Sequence, residues 1–290
     1  MDVENIVVEM NLKDLKKELL AELSSVFDTS EIETFFYRLI DHQLGLSKID
    51  MVLNPDVTIT AKDDRFFKTA IRELKNEKPI QYIIGSTEFY GLNFKVTEAT
   101  LIPRPETEEL VDWILKDNLN KTDLSVLDIG TGSGCIPISL AKHLSDSSVA
   151  TIDVSSEAIK VAKDNANTHQ VAMKFINQDI LNCTDISEKY DVIVSNPPYV
   201  RHLEKQEIKK NVLAYEPHLA LFVADDDALI FYKKITELAL ESLTENGALY
   251  FEINQYLGQE TVDLVKNLGF SSVELRKDLS GNDRMLKAVK

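Results

Sequence analysis

Cysteine is nearly missing from this chain: Cys135 and Cys183 are the only two among 290 residues. That is too few for a disulfide framework and points to a reducing compartment, the cytoplasm. Both read as small core residues rather than nucleophiles. Long apolar runs are also missing, and none reaches the length that spans a bilayer. The start, Met1-Asp2-Val3-Glu4, is acidic and lacks the basic and apolar regions of a signal peptide. Basic charge is scarce: 32 Lys and Arg stand against 48 Asp and Glu, a formal charge of −16. A protein whose main work is gripping a phosphate backbone would show the opposite balance. The five histidines (His42, His143, His169, His202, His218) have no metal-ligand spacing with each other or with the cysteines. There is no internal repeat and no low-complexity tract. What remains is an ordinary globular chain, 44% hydrophobic and long enough for two domains.

The first stretch, 1–85, reads as helices only. Leu12, Leu15, Leu19 and Leu23 share one helical face; Ile32, Phe35, Phe36, Leu39 and Ile40 form a second stripe. Phe67, Ala70, Ile71 and Leu74 form a third, with Thr60 as N-cap. Gly45, Asn54-Pro55 and Pro79 punctuate these segments. The stripes predict a small bundle core without chemistry, which suits a docking role. Over 86–100 the period changes. Glu88-Phe89-Tyr90 and Asn93-Phe94-Lys95-Val96 flank Gly91-Leu92, which reads as a two-residue hairpin turn with Gly first, a joint between domains. From 101 to 290 strands and helices alternate. Strands are expected at 124–129, 149–152, 173–176 and 190–196, then at 248–253 after an Asn246-Gly247 turn, and a closing antiparallel pair at 272–275 and 284–289. Such alternation predicts an α/β doubly wound, mostly parallel sheet.

The fourth of these strands runs into Ser195-Asn196-Pro197-Pro198-Tyr199. Both prolines lack an N–H and fix φ, so pairing stops and a stiff extended corner follows. In an open α/β sheet, ligands bind at the carboxyl ends of strands. An amide acceptor on such a corner suits the holding of a planar –NH2 group. Asn196 accepts one hydrogen, the carbonyl of Pro197 the other, and Tyr199 packs on the flat face. Taken alone, the tetrapeptide reads equally well as a strand-terminating turn.

The first strand is followed by Gly130-Thr131-Gly132-Ser133-Gly134, a tight loop that lets backbone approach a ligand at a helix N-terminus. It is not a dinucleotide fingerprint, because Cys135 stands where glycine would be needed, and no Gly-Lys-Ser/Thr makes it a P-loop. Asp128 precedes it. Asp153 ends the second strand, where a carboxylate can accept both hydroxyls of a ribose. Asp179 follows the third, placed to meet an adenine amino group. Each acidic residue alone could be a cap or turn former. At successive strand ends of one sheet they point to an adenosine-bearing ligand with an amino-acid tail, which S-adenosylmethionine fits.

These residues resemble the HemK/PrmC family of protein-(glutamine-N5) methyltransferases, which modify peptide-chain release factors. The resemblance runs through Pro79-Ile80-Gln81-Tyr82-Ile83-Ile84-Gly85, Glu88-Phe89-Tyr90-Gly91, Arg104-Pro105-Glu106-Thr107-Glu108, Asp128 to Ile136, the Asn-Pro-Pro-Tyr corner, Glu216-Pro217, and Lys277-Asp278-Leu279 with Asp283-Arg284. It implies a class I (Rossmann-like) methyltransferase domain at 101–290, behind a helical substrate-recognition domain at 1–85 and a hairpin linker at 86–100. It implies S-adenosylmethionine held by Gly130, Thr131, Gly132, Ser133, Gly134, Asp153, Asp179, Ile180 and Asn196. It implies Asn196, Pro197, Pro198 and Tyr199 as the clamp on the glutamine of a Gly-Gly-Gln tripeptide, with Asn196, Pro197 and Tyr199 catalytic. The expected partner is a release factor, with no nucleic acid, no membrane and no metal, and the chain is expected to be a monomer.

Three other readings are open to the same residues. A nucleic-acid amino methyltransferase would use the clamp on a flipped base, but the acidic charge argues against it. A nicotinamide oxidoreductase is disfavoured by Cys135, and an inert adaptor by the intact Asn-Pro-Pro-Tyr corner.

Overall fold

The computed structural model describes residues 7–54 and 56–290, so the acidic Met1-Asp2-Val3-Glu4 start and Pro55 lie outside the described residues. The chain divides into two compact units, Met1–Gly85 with Lys210–Tyr215, and Ser86–Lys209 with Glu216–Lys290. In the first, helices Leu12–Leu23, Thr29–Leu44 and Ala61–Lys75 bury their leucine and phenylalanine stripes against one another. Thr60 caps the last of them in a reciprocal box with Asp63. This unit is not helices alone: Val7–Asn11 pairs antiparallel with Thr58–Thr60. Thr58-Ile59-Thr60 is β-branched throughout and buries Ile59. Three residues are too few to display a period in the sequence.

The second unit is built on a seven-stranded sheet. In chain order its strands are Ser125–Ile129, Ser148–Asp153, Met173–Asn177, Tyr190–Ser195, Leu243–Glu252, Ser272–Lys277 and Asp283–Val289. Across the sheet they lie third, second, first, fourth, fifth, seventh, sixth. The first five are mutually parallel; the seventh runs antiparallel between the fifth and the sixth. The chain winds outward from the first strand, then returns to lay the fourth on its other side. That reversal leaves a crevice at the carboxyl ends of the first and fourth strands, where open α/β sheets bind ligands. The glycine loop leaves one of these strands and the Asn-Pro-Pro-Tyr corner leaves the other. Both faces of the sheet are covered. Helices Pro105–Asn118 and Cys135–His143 pack on one, and Ile230–Ser242 and Gly258–Leu268 on the other. Burial on both faces explains why the central strands read as continuous apolar runs.

Two local expectations are corrected. The hairpin strands are Ser86–Phe89 and Leu92–Lys95, with Phe89 opposite Leu92. The turn residues are therefore Tyr90 and Gly91, with φ +49° and +72°. Two positive φ values define the mirror-image turn whose twist suits a hairpin, and it places glycine second rather than first. Asn246-Gly247 is no separate turn either: the fifth strand runs through it, with a register shift between Leu243 and Ala248. The hairpin groups with the sheet-bearing unit. Asn165 on helix Ser156–Thr168 accepts from the Lys95 N–H (2.8 Å) and donates to the Lys95 carbonyl (2.9 Å). Its Nδ2 also donates to the Ser133 carbonyl of the glycine loop at 2.8 Å.

Candidate active site

The corner at 196–199 is held from several sides. At the end of its strand the buried Ser195 hydroxyl donates to the Ile129 carbonyl at 2.6 Å. The Tyr199 carbonyl accepts from Asn254 Nδ2 (2.9 Å), and its hydroxyl donates to Glu252 (3.0 Å). Val200 N–H then donates to the Leu221 carbonyl at 2.9 Å. Asn196, Pro197 and Pro198 line a cleft of about 260 Å³. Tyr199 is not among the lining residues. Its ring packs against the core cluster on the helix Ile230–Ser242 side, and its hydroxyl turns inward to Glu252. The flat-face contact expected of Tyr199 is thus replaced by an anchoring one. Burial, with the Glu252 charge beside it, pushes its phenol well up, so it remains a donor.

The glycine loop forms the opposite wall. Gly130, Gly132 and Gly134 all have positive φ, +88°, +53° and +82°. Gly130 approaches the corner closely: a Cβ there would lie 3.6 Å from the Asn196 carbonyl oxygen. Gly130, Thr131, Gly132 and Ser133 line the cleft; Gly134 does not. Gly134 starts helix Cys135–His143, and a Cβ on it would come within 2.9 Å of Ile138 Cδ1 and 3.2 Å of Ala162 Cβ. Gly134→Ala combines backbone strain with that contact and should lower unfolding stability by about 1–3 kcal/mol. Urea denaturation measures it, and an unchanged midpoint would show that the loop relaxes freely.

The acidic residues fall as the strand ends place them. Asp153 Oδ2 accepts the Gly132 N–H (2.9 Å) and Oδ1 the Ser155 N–H (2.8 Å). Each oxygen keeps a further lone pair, and the residue lines the cleft. Burial raises its carboxyl above the usual range, opposed by those two N–H bonds. Asp179 and Ile180 line the same cleft; Asp179 accepts from Leu181 N–H (2.9 Å) and Asn182 Nδ2 (2.6 Å). Asp128 is fully buried beneath the loop. Cys135 lines the cleft, but burial pushes its thiol up to about 12, which rules out a ready thiolate.

The site also contains residues whose sequence context assigns them no role. Thr107, in the first turn of helix Pro105–Asn118, lines the cleft and accepts from Asn196 Nδ2 at 3.3 Å. Its own hydroxyl donates to Glu252 at 2.6 Å. Arg104 Nη2 pairs with the buried Glu216 at 2.5 Å, and Glu216 also accepts the Ile102 N–H at 3.2 Å. Glu108 accepts the Tyr90 N–H (2.7 Å) and Glu109 the Leu279 N–H (3.2 Å). The 104–109 segment therefore fastens the hairpin, the chain before Pro217 and the closing strand pair around the cleft. Glu252 carries one local signal, a carboxylate ending an apolar strand. Its link to Thr107, 145 positions away, leaves no local signal.

S-adenosylmethionine is tested by whether these groups match its parts. The loop presents backbone of positive φ at a helix N-terminus for the amino-acid tail. Asp153 has lone pairs left for a ribose diol. Asp179 and Ile180 offer a carboxylate and an apolar surface for a purine. The residues fit. Strand order, crevice and donor set together define a class I S-adenosylmethionine-dependent methyltransferase. A family model described as a methyltransferase small domain matches residues 110–219, and a PrmC N-terminal domain model matches 17–85. The chain is 54% identical over 281 residues to a protein of Flavobacterium psychrophilum named release factor glutamine methyltransferase, covering 96% of this chain and 99% of that one. A protein of the same name from Bacteroides thetaiotaomicron is 43% identical, covering 92% and 95%. The crystal structure of a methyltransferase from Pyrococcus furiosus, 19% identical, superposes with a TM-score of 0.51 over 70% of this chain and 90% of that one, a likeness of fold. This chain belongs to the release factor glutamine methyltransferase family.

Proposed function

We propose that the protein methylates the side-chain amide nitrogen, N5, of the glutamine in the Gly-Gly-Gln motif of peptide-chain release factors. S-adenosylmethionine, when bound, supplies an electrophilic methyl on a sulfonium. One observation carries the reading: the rigid amide-bearing corner and the glycine loop wall the same cleft, with Gly130 against the Asn196 carbonyl. The amide nitrogen of glutamine is a weak nucleophile because its lone pair is delocalised. Asn196 Oδ1 and the Pro197 carbonyl accept its two hydrogens, aim the nitrogen and favour charge developing on it. Tyr199 serves by fixing the corner rather than by stacking. A strong general base is unnecessary, since the methylated nitrogen becomes acidic and releases its proton afterwards. Gly130, Thr131, Gly132, Ser133, Asp153, Asp179 and Ile180 hold the cofactor, and Gly134 sets the start of the helix behind them. The 1–85 segment is the substrate-docking domain and 86–100 its connection to the rest. The enzyme works as a cytoplasmic monomer on a protein partner, without direct nucleic-acid contact. No helix among the described residues is long and apolar enough to cross a membrane.

Mass spectrometry of the Gly-Gly-Gln peptide after incubation of a release factor with the protein and S-adenosylmethionine tests this. A 14-dalton gain on the glutamine is expected, a methyl replacing a hydrogen; transfer to RNA or DNA instead would overturn it. Asp153→Ala should weaken cofactor binding by about 1.5–3 kcal/mol, roughly 10- to 100-fold in Kd, the worth of hydrogen bonds to a charged group. Equal affinity by calorimetry would remove Asp153 from the ribose site.

A further inference from the structure

A primary amide can face its site either way round, and Asn196 is useful to a substrate –NH2 only with Oδ1 toward the cleft. The structure contains a device that sets this polarity. Glu252 is buried, 1% exposed, and receives two hydroxyls, from Tyr199 at 3.0 Å and from Thr107 at 2.6 Å. Both hydroxyls donate to its carboxylate, which opposes the rise that burial gives the Glu252 carboxyl. A threonine hydroxyl has one hydrogen. With that hydrogen spent on Glu252, Thr107 Oγ1 can only accept, and the atom of Asn196 facing it at 3.3 Å must be Nδ2. The other amide atom, Oδ1, is left for the cleft. Thr107 is itself 3% exposed, so no bulk water competes for its lone pair.

We infer that Thr107, oriented by Glu252, is a positioning residue that fixes the Asn196 amide with its oxygen toward the substrate nitrogen. This gives the threonine of the Arg104-Pro105-Glu106-Thr107-Glu108 segment a task that Arg104 and Glu108, which fasten surrounding chain, do not share. It also sets specificity by group polarity. The corner then offers acceptors only, so a carboxamide –NH2 is held while the carboxylate of a glutamate in its place meets a like dipole. Thr107→Val keeps the shape but removes both the donor and the acceptor. Asn196 Nδ2 would then face a methyl, and the amide would turn its nitrogen to the wetter cleft, presenting a donor to a donor.

The inference rests on the amide-methylation reading, and the assay separates the two. Wild-type protein must first methylate a release factor; if it does not, that reading fails before Thr107 is tested. Given wild-type turnover, Thr107→Val should lower kcat by about 10- to 100-fold, the effect of an unpaired buried donor at a reacting centre. Cofactor Kd and the KM for the release factor should stay near wild type. Thr107→Ser, which restores the hydroxyl but not the methyl, should recover most of kcat. If Thr107→Val does not fold, Thr107→Ala carries the same expectation. Wild-type kcat in Thr107→Val, or an equal loss in Thr107→Ser, would overturn the inference, the latter showing that Thr107 acts through its methyl packing.

Discussion

Asn196→Ala lowers turnover of a release factor by about two orders of magnitude or more, the scale seen when a positioned polar group at a reacting centre is removed. The loss should appear in kcat and kcat/KM together, because the acceptor matters most as charge develops on the nitrogen. Its neighbours give the expectation its force. The corner is tied by Ser195 to Ile129, by Asn254 to the Tyr199 carbonyl and by Tyr199 to Glu252. An alanine therefore deletes the amide without loosening the backbone that carries it. Single-turnover methyl transfer measured with the variant and a release factor checks this, and near-normal turnover would end the clamp account.

The second large effect is on stability and pH. Asp128 is buried beneath the glycine loop, where Oδ2 accepts the Thr151 hydroxyl at 2.7 Å and Oδ1 has no partner among the described residues. Burial raises its carboxyl from the usual 3.8 to about 7; the Asp153 charge adds to the rise, and the hydroxyls of Thr151 and Thr131 oppose it. Below about pH 4 both folded and unfolded chains hold the proton, and Asp128 adds no pH dependence. Between about 4 and 7 the folded chain binds a proton that the unfolded chain has lost, so stability falls as pH rises. Above 7 the full penalty is in place, on the order of 4 kcal/mol. Asp128→Asn keeps the shape without the charge. In urea denaturation without cofactor, the variant should gain on wild type as pH climbs from 4 to 7 and then hold a constant lead. Two stability curves running parallel across that range would show that Asp128 titrates normally.

Much of the second unit was legible because its signals are local. A proline pair stops a strand whatever surrounds it, and alternating strand and helix periods dictate the winding that brings residues 130–134 and 196–198 to one crevice. Asp153 and Asp179 followed from their positions at strand ends. What escaped depends on distance along the chain or on a single residue of register. The Thr107 and Glu252 side chains meet across 145 positions, and nothing near either residue foretells the other. Tyr90-Gly91 and Gly91-Leu92 are equally plausible turns until the pairing of Phe89 with Leu92 decides. Tyr199 follows the corner, which suggests a contact with the substrate, but nothing local foretells the bond of its hydroxyl to a buried carboxylate ending the neighbouring strand.

The bonds of Asn165 bear on how such an enzyme could be recombined. One carboxamide grips the backbone of Lys95 at both its N–H and its carbonyl, and with the same nitrogen holds the Ser133 carbonyl. A chimaera that exchanges the hairpin for a foreign one, or a deletion that slides Lys95 by a single place, would unfasten the glycine-loop wall of the cleft although no loop residue had been edited. Grafts should carry Lys95, Ser133 and Asn165 together as one cassette.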